Sequence, residues 1–389
     1  MPYTNTGHAT MNTEVLGQFF RIFTKMSDLI NIKLGITIGD INGIGPEVIL
    51  KSLHDNRILD RVTPIIYGSD KVLNHYIKTL GIDYSELFLV KSAEKVKTNK
   101  INVINVAERD VNVSEGKEDV EAGKVAIQAL ERASADISNG SIDAIVTAPI
   151  SKNVCQNAGF DFPGHTEYFS SLSNGNEGLM ILSSSIMKIA LVTTHIPLKE
   201  VSEKINKQLI IDKATIFSNS LKKDFGVLNP KLAVLSLNPH CGENGKMGNE
   251  EIESIFPAIK ELKENGILAF GPFPTDGFFG SESRKNYDGI LSMYHDQGLS
   301  VFKALSFDEG VNFTSGLPIV RTSPDHGTAF DICGKGEASE TSMRNAIYLA
   351  IDIYRSRIRF KENMRNPLEI KKETKEHKAN VKPKVLKKN

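Results

Sequence analysis

Short runs of apolar, mostly β-branched residues alternate along this chain with longer segments whose apolar positions recur every three or four residues. The runs Asn31–Ile38, Thr63–Tyr67 and Ile142–Val146 predict buried strands, because short apolar runs bounded by turn residues are typical of a parallel sheet. The segment Glu121–Gly140 has apolar residues at helical spacing and predicts a long helix. Strands that alternate with helices predict an α/β protein with a mostly parallel sheet.

A glycine-rich turn follows the first predicted strand. Gly39, Gly43 and Gly45 lie within seven residues, and Pro46 stands where a helix would begin, ahead of Glu47–Leu53. Proline is favoured there because the first turn of a helix leaves its N–H groups without helical partners in any case. The pattern predicts a strand, a turn and a helix at the start of the fold.

A histidine follows each of three further apolar runs. The runs and their histidines are Ile186–Thr194 with His195, Lys231–Pro239 with His240, and Tyr287–Tyr294 with His295. Ligands of open α/β sheets bind outside the carboxyl ends of the strands, so three imidazoles at one edge would form a metal site with an open fourth position, as catalytic zinc sites have. Imidazole favours zinc, cobalt or nickel over magnesium. A histidine at a strand end is also common as an ordinary loop residue, and the pattern alone leaves both interpretations open.

Two further groups of polar residues are candidates for binding an anion. Lys303, Asn312 and Arg321 are each nine residues from the next, across two turns, and could clamp a phosphate or carboxylate. His165 and Thr166 stand at a predicted helix start, where free N–H groups attract anions. Surface charge and a plain helix cap are the respective alternatives.

Two loops carry the remaining candidates. Asp276 lies among prolines and aromatic residues, where desolvation would suit it to proton transfer, although a turn aspartate is an equally good interpretation. The glycine-dense loop His326–Gly336 could approach a nucleotide closely, yet it is neither a Walker loop nor a Rossmann fingerprint. Its candidate cofactor-binding residues are His326, Gly327, Asp331 and Gly334.

Composition limits the class of protein. The 389 residues suffice for two α/β domains, and 47 basic residues balance 47 acidic ones, so no global charge favours nucleic acid or an anionic membrane. Three scattered cysteines fit a reducing cytoplasm, and no apolar stretch approaches the ~20 residues of a membrane-spanning helix. Residues 1–25 look like an extension, and the Lys-rich stretch from Lys361 to the end predicts a solvated tail, with a basic contact arm as the alternative.

Several ordered motifs together resemble a known family, the 4-hydroxythreonine-4-phosphate dehydrogenases of pyridoxal phosphate biosynthesis. The resemblance runs from about Lys33 to Arg357. The segments that carry it are Ile36–Asp40, Gly43–Glu47, Val146–Lys152, Gly164–Glu167, Leu237–His240, Met293–Leu299 and Arg321–Ala329. Departures from the family pattern at Ile41–Asn42 and around Asp276 leave the substrate subtype open.

The resemblance implies an isocitrate/isopropylmalate dehydrogenase-like fold, with two α/β/α domains and the active-site cleft between them. The first domain, on the dinucleotide side, would combine residues 31–144 and 305–360, and residues 145–304 would form the second, on the metal and dimer side. Residues 1–30 and 361–389 would be flexible extensions. It also implies a cytoplasmic homodimer with the active site at the subunit interface, and no nucleic acid or membrane partner.

The resemblance further assigns roles to residues. The metal ligands would be His195, His240 and His295, one of them reaching the site from the neighbouring subunit. Asp276 would be the acid near the reacting centre. The substrate contacts would be His165, Thr166, Lys303, Asn312 and Arg321. The cofactors would be NAD or NADP and one divalent metal ion, which is zinc, cobalt or magnesium.

The implied reaction is a metal-assisted, NAD(P)-dependent oxidation of 4-phosphooxy-L-threonine to 2-amino-3-oxo-4-phosphooxybutanoate. This product decarboxylates to 3-amino-2-oxopropyl phosphate on the route to pyridoxine 5′-phosphate. Two alternatives remain at this point. One is a dehydrogenase of threonate or erythronate 4-phosphate, and the other is a relative of the same fold without redox chemistry.

Overall fold

One twelve-stranded sheet organises the part of the chain that this computed structural model describes, namely residues 31–83, 86–107, 111–172 and 178–366. The strands are β1 (Ile32–Thr37), β2 (Val62–Gly68), β3 (Phe88–Leu89), β4 (Asn102–Asn105), β5 (Ala144–Thr147), β6 (Leu179–Ser183), β7 (Lys188–Leu191), β8 (Lys231–Leu235), β9 (Leu268–Phe273), β10 (Gly289–Ser292), β11 (Val311–Ser315) and β12 (Arg321–Pro324). The predicted extension at residues 1–30 and most of the one at 361–389 lie outside the described residues.

Helices connect most of these strands, which confirms the predicted α/β class. They are α1 (Gly45–Leu53), α2 (Asp70–Leu80), α3 (Val120–Ser138), α4 (Lys152–Asn157), α5 (His165–Ser171), α6 (Leu198–Lys204), α7 (Lys207–Lys223), α8 (Phe256–Glu264), α9 (Thr275–Phe279), α10 (His295–Ser306) and α11 (Thr341–Asn363). The early strands and the long helix α3 lie where the sequence pattern places them. The predicted division into two domains stays a prediction.

The sheet reverses direction at its centre. Its strand order is β3-β4-β2-β1-β5-β12-β11-β6-β7-β10-β8-β9, and the neighbours are parallel except around β11 and β6. β11 runs antiparallel to both β12 and β6, and β6 runs antiparallel to β7. The short connections 184–187 and 316–320 explain the antiparallel pairing of β6 with β7 and of β11 with β12, because a connection of four or five residues can join only antiparallel neighbours. The β-branched runs alone did not predict the reversal.

The glycine-rich turn after β1 is built as predicted and holds a buried carboxyl group. Gly39 has a φ of +72°, and a Cβ atom there would collide with the Pro149 carbonyl oxygen, so only glycine fits. Asp40 is 1 % exposed. Its Oδ1 accepts a hydrogen bond from the Asn42 N–H at 3.0 Å, whereas Oδ2 has no partner among the described residues. Desolvation raises the pKa of Asp40 to about 6.

Replacing Asp40 with asparagine should change the pH dependence of stability. Because the pKa is raised in the folded state, the free energy of unfolding of the wild-type protein is highest below about pH 4, where Asp40 is protonated in both states. It falls as pH rises from there through about 6. The free energy of unfolding of Asp40→Asn relative to wild type should therefore rise over this window by up to about 3 kcal/mol. Urea unfolding between pH 4.5 and 7.5 checks this, with exposed Asp212→Asn as control. A difference that is constant with pH would contradict it.

Candidate active site

A cavity of about 350 Å³ opens beside the central strands of the sheet. The carboxyl ends of β5 and β12 line it, together with the first residues of α5 and α10 and the loop that follows β7. Many residues that the sequence singled out converge here. They are His165, Thr166, His195, His295, Lys303, Asn312, Arg321, His326 and Gly327.

Arg321 places a buried positive charge in the wall of this cavity. It is the first residue of β12 and is 2 % exposed. Its Nε and Nη2 donate to Thr147 Oγ1 at 3.1 and 2.6 Å, and its Nη1 donates to Thr314 Oγ1 at 3.3 Å. Among the described residues no carboxylate lies within ion-pair distance of the guanidinium. Burial lowers the pKa of Arg321 to about 9, so the group stays charged at neutral pH.

Burying a cation whose hydrogen-bond partners are hydroxyl groups lowers the free energy of unfolding of a protein. Hydroxyl partners orient the guanidinium but do not neutralise it, and an uncompensated buried charge costs several kcal/mol. A bound phosphate or carboxylate would supply the missing charge and accept paired hydrogen bonds from Arg321. The wall of the cavity is therefore suited to an anionic ligand.

Two hydrogen-bond acceptors in the same wall lack partners. Asn312 Oδ1 and His326 Nε2 are buried atoms with no hydrogen bond to any described residue. The Nδ1 atom of His326 lies 3.1 Å from the Gly327 carbonyl oxygen, to which only a protonated Nδ1 can donate. Burial lowers the pKa of His326, so Nε2 carries a lone pair. Both acceptors are available for hydroxyl or ammonium groups of a ligand.

The other predicted substrate contacts surround this region. α5 begins at His165, one residue before the predicted start, and burial together with Arg321 and Lys152 holds the pKa of His165 well below its usual value. Lys303 Nζ lies 3.7 Å from Asp325 Oδ2, and burial raises the pKa of Asp325. The cavity wall thus combines cationic groups with neutral polar groups and the carboxyl group of Asp325.

Sequence reasoning gave no role to three residues of the wall. Lys152 is the first residue of α4, just beyond β5, and Glu167 Oε1 lies 4.0 Å from His195 Nδ1. Asp325 follows β12 directly. Lys152 and Asp325 follow strand ends, as the histidines do, and that position was the available signal.

The strands that precede the three histidines are neighbours. β10 lies between β7 and β8 and is parallel to both, so all three carboxyl ends lie at one edge of the sheet, as the sequence suggested. The rings of His195 and His295 have centroids 5.8 Å apart, and both line the cavity. His240 is exposed and is not part of the cavity wall.

His240 projects from an unusual turn. The residues from His240 to Gly245 all have positive φ, including 53° at His240, 52° at Cys241 and 43° at Glu243. Each non-glycine residue in this conformation costs roughly 1–2 kcal/mol. The buried carboxylate of Glu251 supports the turn, because its Oε1 accepts hydrogen bonds from the N–H groups of Leu237 and Asn238, each at 2.8 Å.

The described residues of one chain do not complete a metal site. They contain no group of three His, Cys, Asp or Glu side chains that could hold a metal ion. His195 and His295 are close together, whereas His240 would have to act elsewhere or in the site of another chain. The three metal-ligand assignments stay predictions.

Asp276, Asp331 and Gly334 lie outside the cavity wall. Asp276 in α9 is exposed, so the expected desolvation is not found in the single chain, since Phe273, Phe278 and Tyr287 pack on one another instead. Asp331 is exposed, and Gly334 has a φ of +75° and packs on the Glu115 carboxylate. Their predicted roles stay predictions.

Comparisons with known proteins agree on one family. The family model described as "Pyridoxal phosphate biosynthetic protein PdxA" matches residues 60–350. A 4-hydroxythreonine-4-phosphate dehydrogenase of Bacteroides thetaiotaomicron is 53 % identical over 338 residues, which are 87 % of this chain and 93 % of the relative. A relative from Oceanobacillus iheyensis, provisionally named a D-threonate 4-phosphate dehydrogenase, is 40 % identical over 82 % of this chain and 97 % of its own.

Solved structures give the same result. The crystal structure of 4-hydroxythreonine-4-phosphate dehydrogenase from Klebsiella pneumoniae superposes with a TM-score of 0.74 at 34 % identity, and the match covers 84 % of this chain and 99 % of that one. The enzyme from Burkholderia phymatum superposes with a TM-score of 0.70 at 35 % identity, covering 83 % and 98 % of the two chains.

Arg321→Met should weaken the binding of inorganic phosphate. A hydrogen bond to a charged group contributes about 1.5–3 kcal/mol, so losing this one should weaken the affinity roughly 10-fold to 150-fold. Titration calorimetry with phosphate alone measures the affinity, and the phosphate-induced rise in Tm provides a second readout. Arg344→Met, on the surface of α11, is the control. Equal affinity in Arg321→Met and wild type would contradict the anion site.

Proposed function

Because the chain belongs to the pyridoxal phosphate biosynthetic protein PdxA family, we propose that it is an NAD(P)-dependent 4-hydroxythreonine-4-phosphate dehydrogenase. It oxidises 4-phosphooxy-L-threonine to 2-amino-3-oxo-4-phosphooxybutanoate, which decarboxylates to 3-amino-2-oxopropyl phosphate. The observation that carries the proposal is the buried Arg321 charge, which faces the same cavity as His195 and His295.

The polar groups of the wall match the polar groups of this substrate. Arg321 binds a dianionic phosphate better than a single carboxylate, because phosphate carries more negative charge, while either anion can accept two parallel hydrogen bonds from the guanidinium. Lys303 and the first residues of α5 then receive the amino-acid end. Asn312 Oδ1 accepts a hydrogen bond from the ammonium or hydroxyl group of the substrate. The Asn312 amide is neutral and therefore adds no charge to the site.

The proposed cofactors are NAD or NADP and one divalent metal ion, which is zinc, cobalt or magnesium. His195 and His295 fit a metal site because their rings are adjacent, and because partial burial and Lys152 lower the pKa of His195 and so favour the neutral imidazole that binds metals. When bound, the metal supplies a Lewis acid for the substrate hydroxyl, and the nicotinamide accepts hydride. His326 and Gly327 lie on the proposed cofactor side of the cavity.

A homodimer would complete the site. His240 is exposed on a left-handed turn and does not line the cavity of its own chain. We therefore assign it to the site of a second copy, with His195 and His295 as the other two ligands. Asp276, which is also exposed, is the candidate for proton transfer, and Lys152 of the cavity wall is a candidate lysine for the same step.

Oxidation releases one proton from the substrate hydroxyl as hydride leaves the adjacent carbon. Three cations of the wall favour this loss, because Lys152, Lys303 and Arg321 stabilise the negative charge that develops on the oxygen. Decarboxylation of the β-keto acid then needs one proton for the carbon that loses carbon dioxide.

We also propose that the protein works in the cytoplasm. No helix within the described ranges is long and apolar enough to cross a membrane. This finding and the named relatives fit an enzyme of small-molecule metabolism, and the cytoplasmic assignment itself rests on the scattered cysteines.

The reaction can be tested with purified protein, NAD or NADP and 4-phosphooxy-L-threonine. Absorbance of the reduced nicotinamide should rise, should stop after the metal is removed with a chelator, and should return when zinc, cobalt or magnesium is added back. D-threonate 4-phosphate and erythronate 4-phosphate serve as competing substrates. Faster turnover of either would favour the sugar-acid branch, and no reduction with any of them by metal-loaded protein would refute the dehydrogenase.

A further inference from the structure

We propose that Gln297 is a positioning residue that fixes the carboxyl ends of β8 and β10 relative to each other, and with them His240 and His295. The inference rests on the proposed function, since it concerns two proposed metal ligands: His295, which serves the site of its own chain, and His240, which serves the site of a second copy. Gln297 lies in the first turn of α10, two residues after His295, and is 6 % exposed.

The side-chain amide of Gln297 bridges three segments. Its Oε1 accepts a hydrogen bond from the Met293 N–H at 2.6 Å, just beyond β10. Its Nε2 donates to the Ser236 carbonyl oxygen at 2.6 Å, just beyond β8, and to Thr275 Oγ1 at 2.8 Å, at the start of α9. The two backbone partners fix the orientation of the amide. In the reverse orientation Nε2 would face the N–H of Met293, which is also a donor, and Oε1 would face the carbonyl oxygen of Ser236, which is also an acceptor.

These bonds begin where the sheet ladder stops. β10 and β8 pair through Gly289, Ile290 and Leu291, and the last pair is Leu291 with Val234. Beyond this last pair the chain continues from β10 to His295 and from β8 to His240. Gln297 therefore takes over the connection that backbone hydrogen bonds provide within the ladder.

The third strand end joins the same network. The Thr193 N–H and Oγ1 both donate to the Met293 carbonyl oxygen, at 3.1 and 2.8 Å. The carbonyl oxygen of Met293 thus accepts hydrogen bonds from Thr193, while the N–H of Met293 donates to Gln297. One continuous row of hydrogen bonds runs from the segment before His195, through the segment before His295, to the segment before His240.

An apolar side chain of similar size cannot replace this amide. Methionine has nearly the same length but neither donates nor accepts strongly, so the Met293 N–H and the Ser236 carbonyl would lose their partner. Side chains that support metal ligands indirectly typically change metal affinity 10-fold to 100-fold when they are replaced. Gln297 touches neither the cavity nor the Arg321 hydroxyl partners, so its effect should be limited to the metal ligands and Asp276.

The test compares wild type, Gln297→Met and a matched control, Asn102→Leu. Asn102 is also a fully buried amide, with hydrogen bonds to Lys97 and Lys100, but it lies in β4 near the opposite end of the sheet. Zinc alone is titrated into metal-free protein in competition with a chromophoric chelator. Steady-state kinetics provide the second readout, and circular dichroism confirms that each variant is folded.

Gln297→Met should bind zinc about 10-fold to 100-fold more weakly than wild type. Its kcat should fall, while KM for 4-phosphooxy-L-threonine should change little, because the Arg321 contacts are intact. Asn102→Leu should lose stability without changing zinc affinity or kcat. If Gln297→Met does not fold, Thr275→Val removes only one partner of the amide and should shift zinc affinity in the same direction by a smaller factor.

Unchanged zinc affinity in folded Gln297→Met, or an equal loss in Asn102→Leu, would overturn the inference while leaving the proposed function intact. With Thr275→Val as the only folded variant, wild-type zinc affinity would overturn it as well. Failure of wild-type protein to bind zinc would overturn the proposed metal site, and the role of Gln297 with it. The wild-type titration therefore separates the two failures.

Discussion

A buried guanidinium without a carboxylate partner is the constraint on which the rest of the site depends. Arg321 begins the central strand β12, and its hydroxyl partners Thr147 and Thr314 come from the two strands that flank β12. The sheet therefore orients the charge, and the hydroxyl partners do not neutralise it. Such an arrangement is costly in the free protein and would become favourable if an anion bound, which is the basis of the proposed binding of a phosphorylated substrate.

Two central strands lie between β12, where this charge is located, and β7, the nearest strand that precedes a candidate histidine. β11 and β6 are the antiparallel strands that join the half of the sheet ending in β12 to the half containing β7, β10 and β8. Residues from both halves line one cavity, which contains Arg321 together with the imidazoles of His195 and His295. The proposed metal ligands are supported by their own row of hydrogen bonds.

Several parts of the fold and of the candidate site could be predicted from the sequence, because they follow from local patterns of residues. The strands before His195, His240 and His295 are parallel neighbours in the sheet. Each could be predicted because a short apolar run bounded by turn residues is typical of a buried strand. Lys152 and Glu167 were not given roles, because their relevance depends on which loops meet in three dimensions. The left-handed turn at His240 and the exposure of Asp276 also depend on tertiary contacts, in particular on buried Glu251 and on aromatic packing. The resemblance supplied the chemistry that no single motif specified.

The shared active site is tested most directly by mixing two inactive variants. Arg321→Met removes the anion site of a chain, and His240→Ala removes the ligand that we assign to the neighbouring chain. In a mixed dimer, one site would combine an intact Arg321 with an intact His240, so subunit exchange of equal amounts should restore roughly a quarter of wild-type activity. If the mixture stays as inactive as its components after exchange is verified, His240 does not serve the site of a second copy.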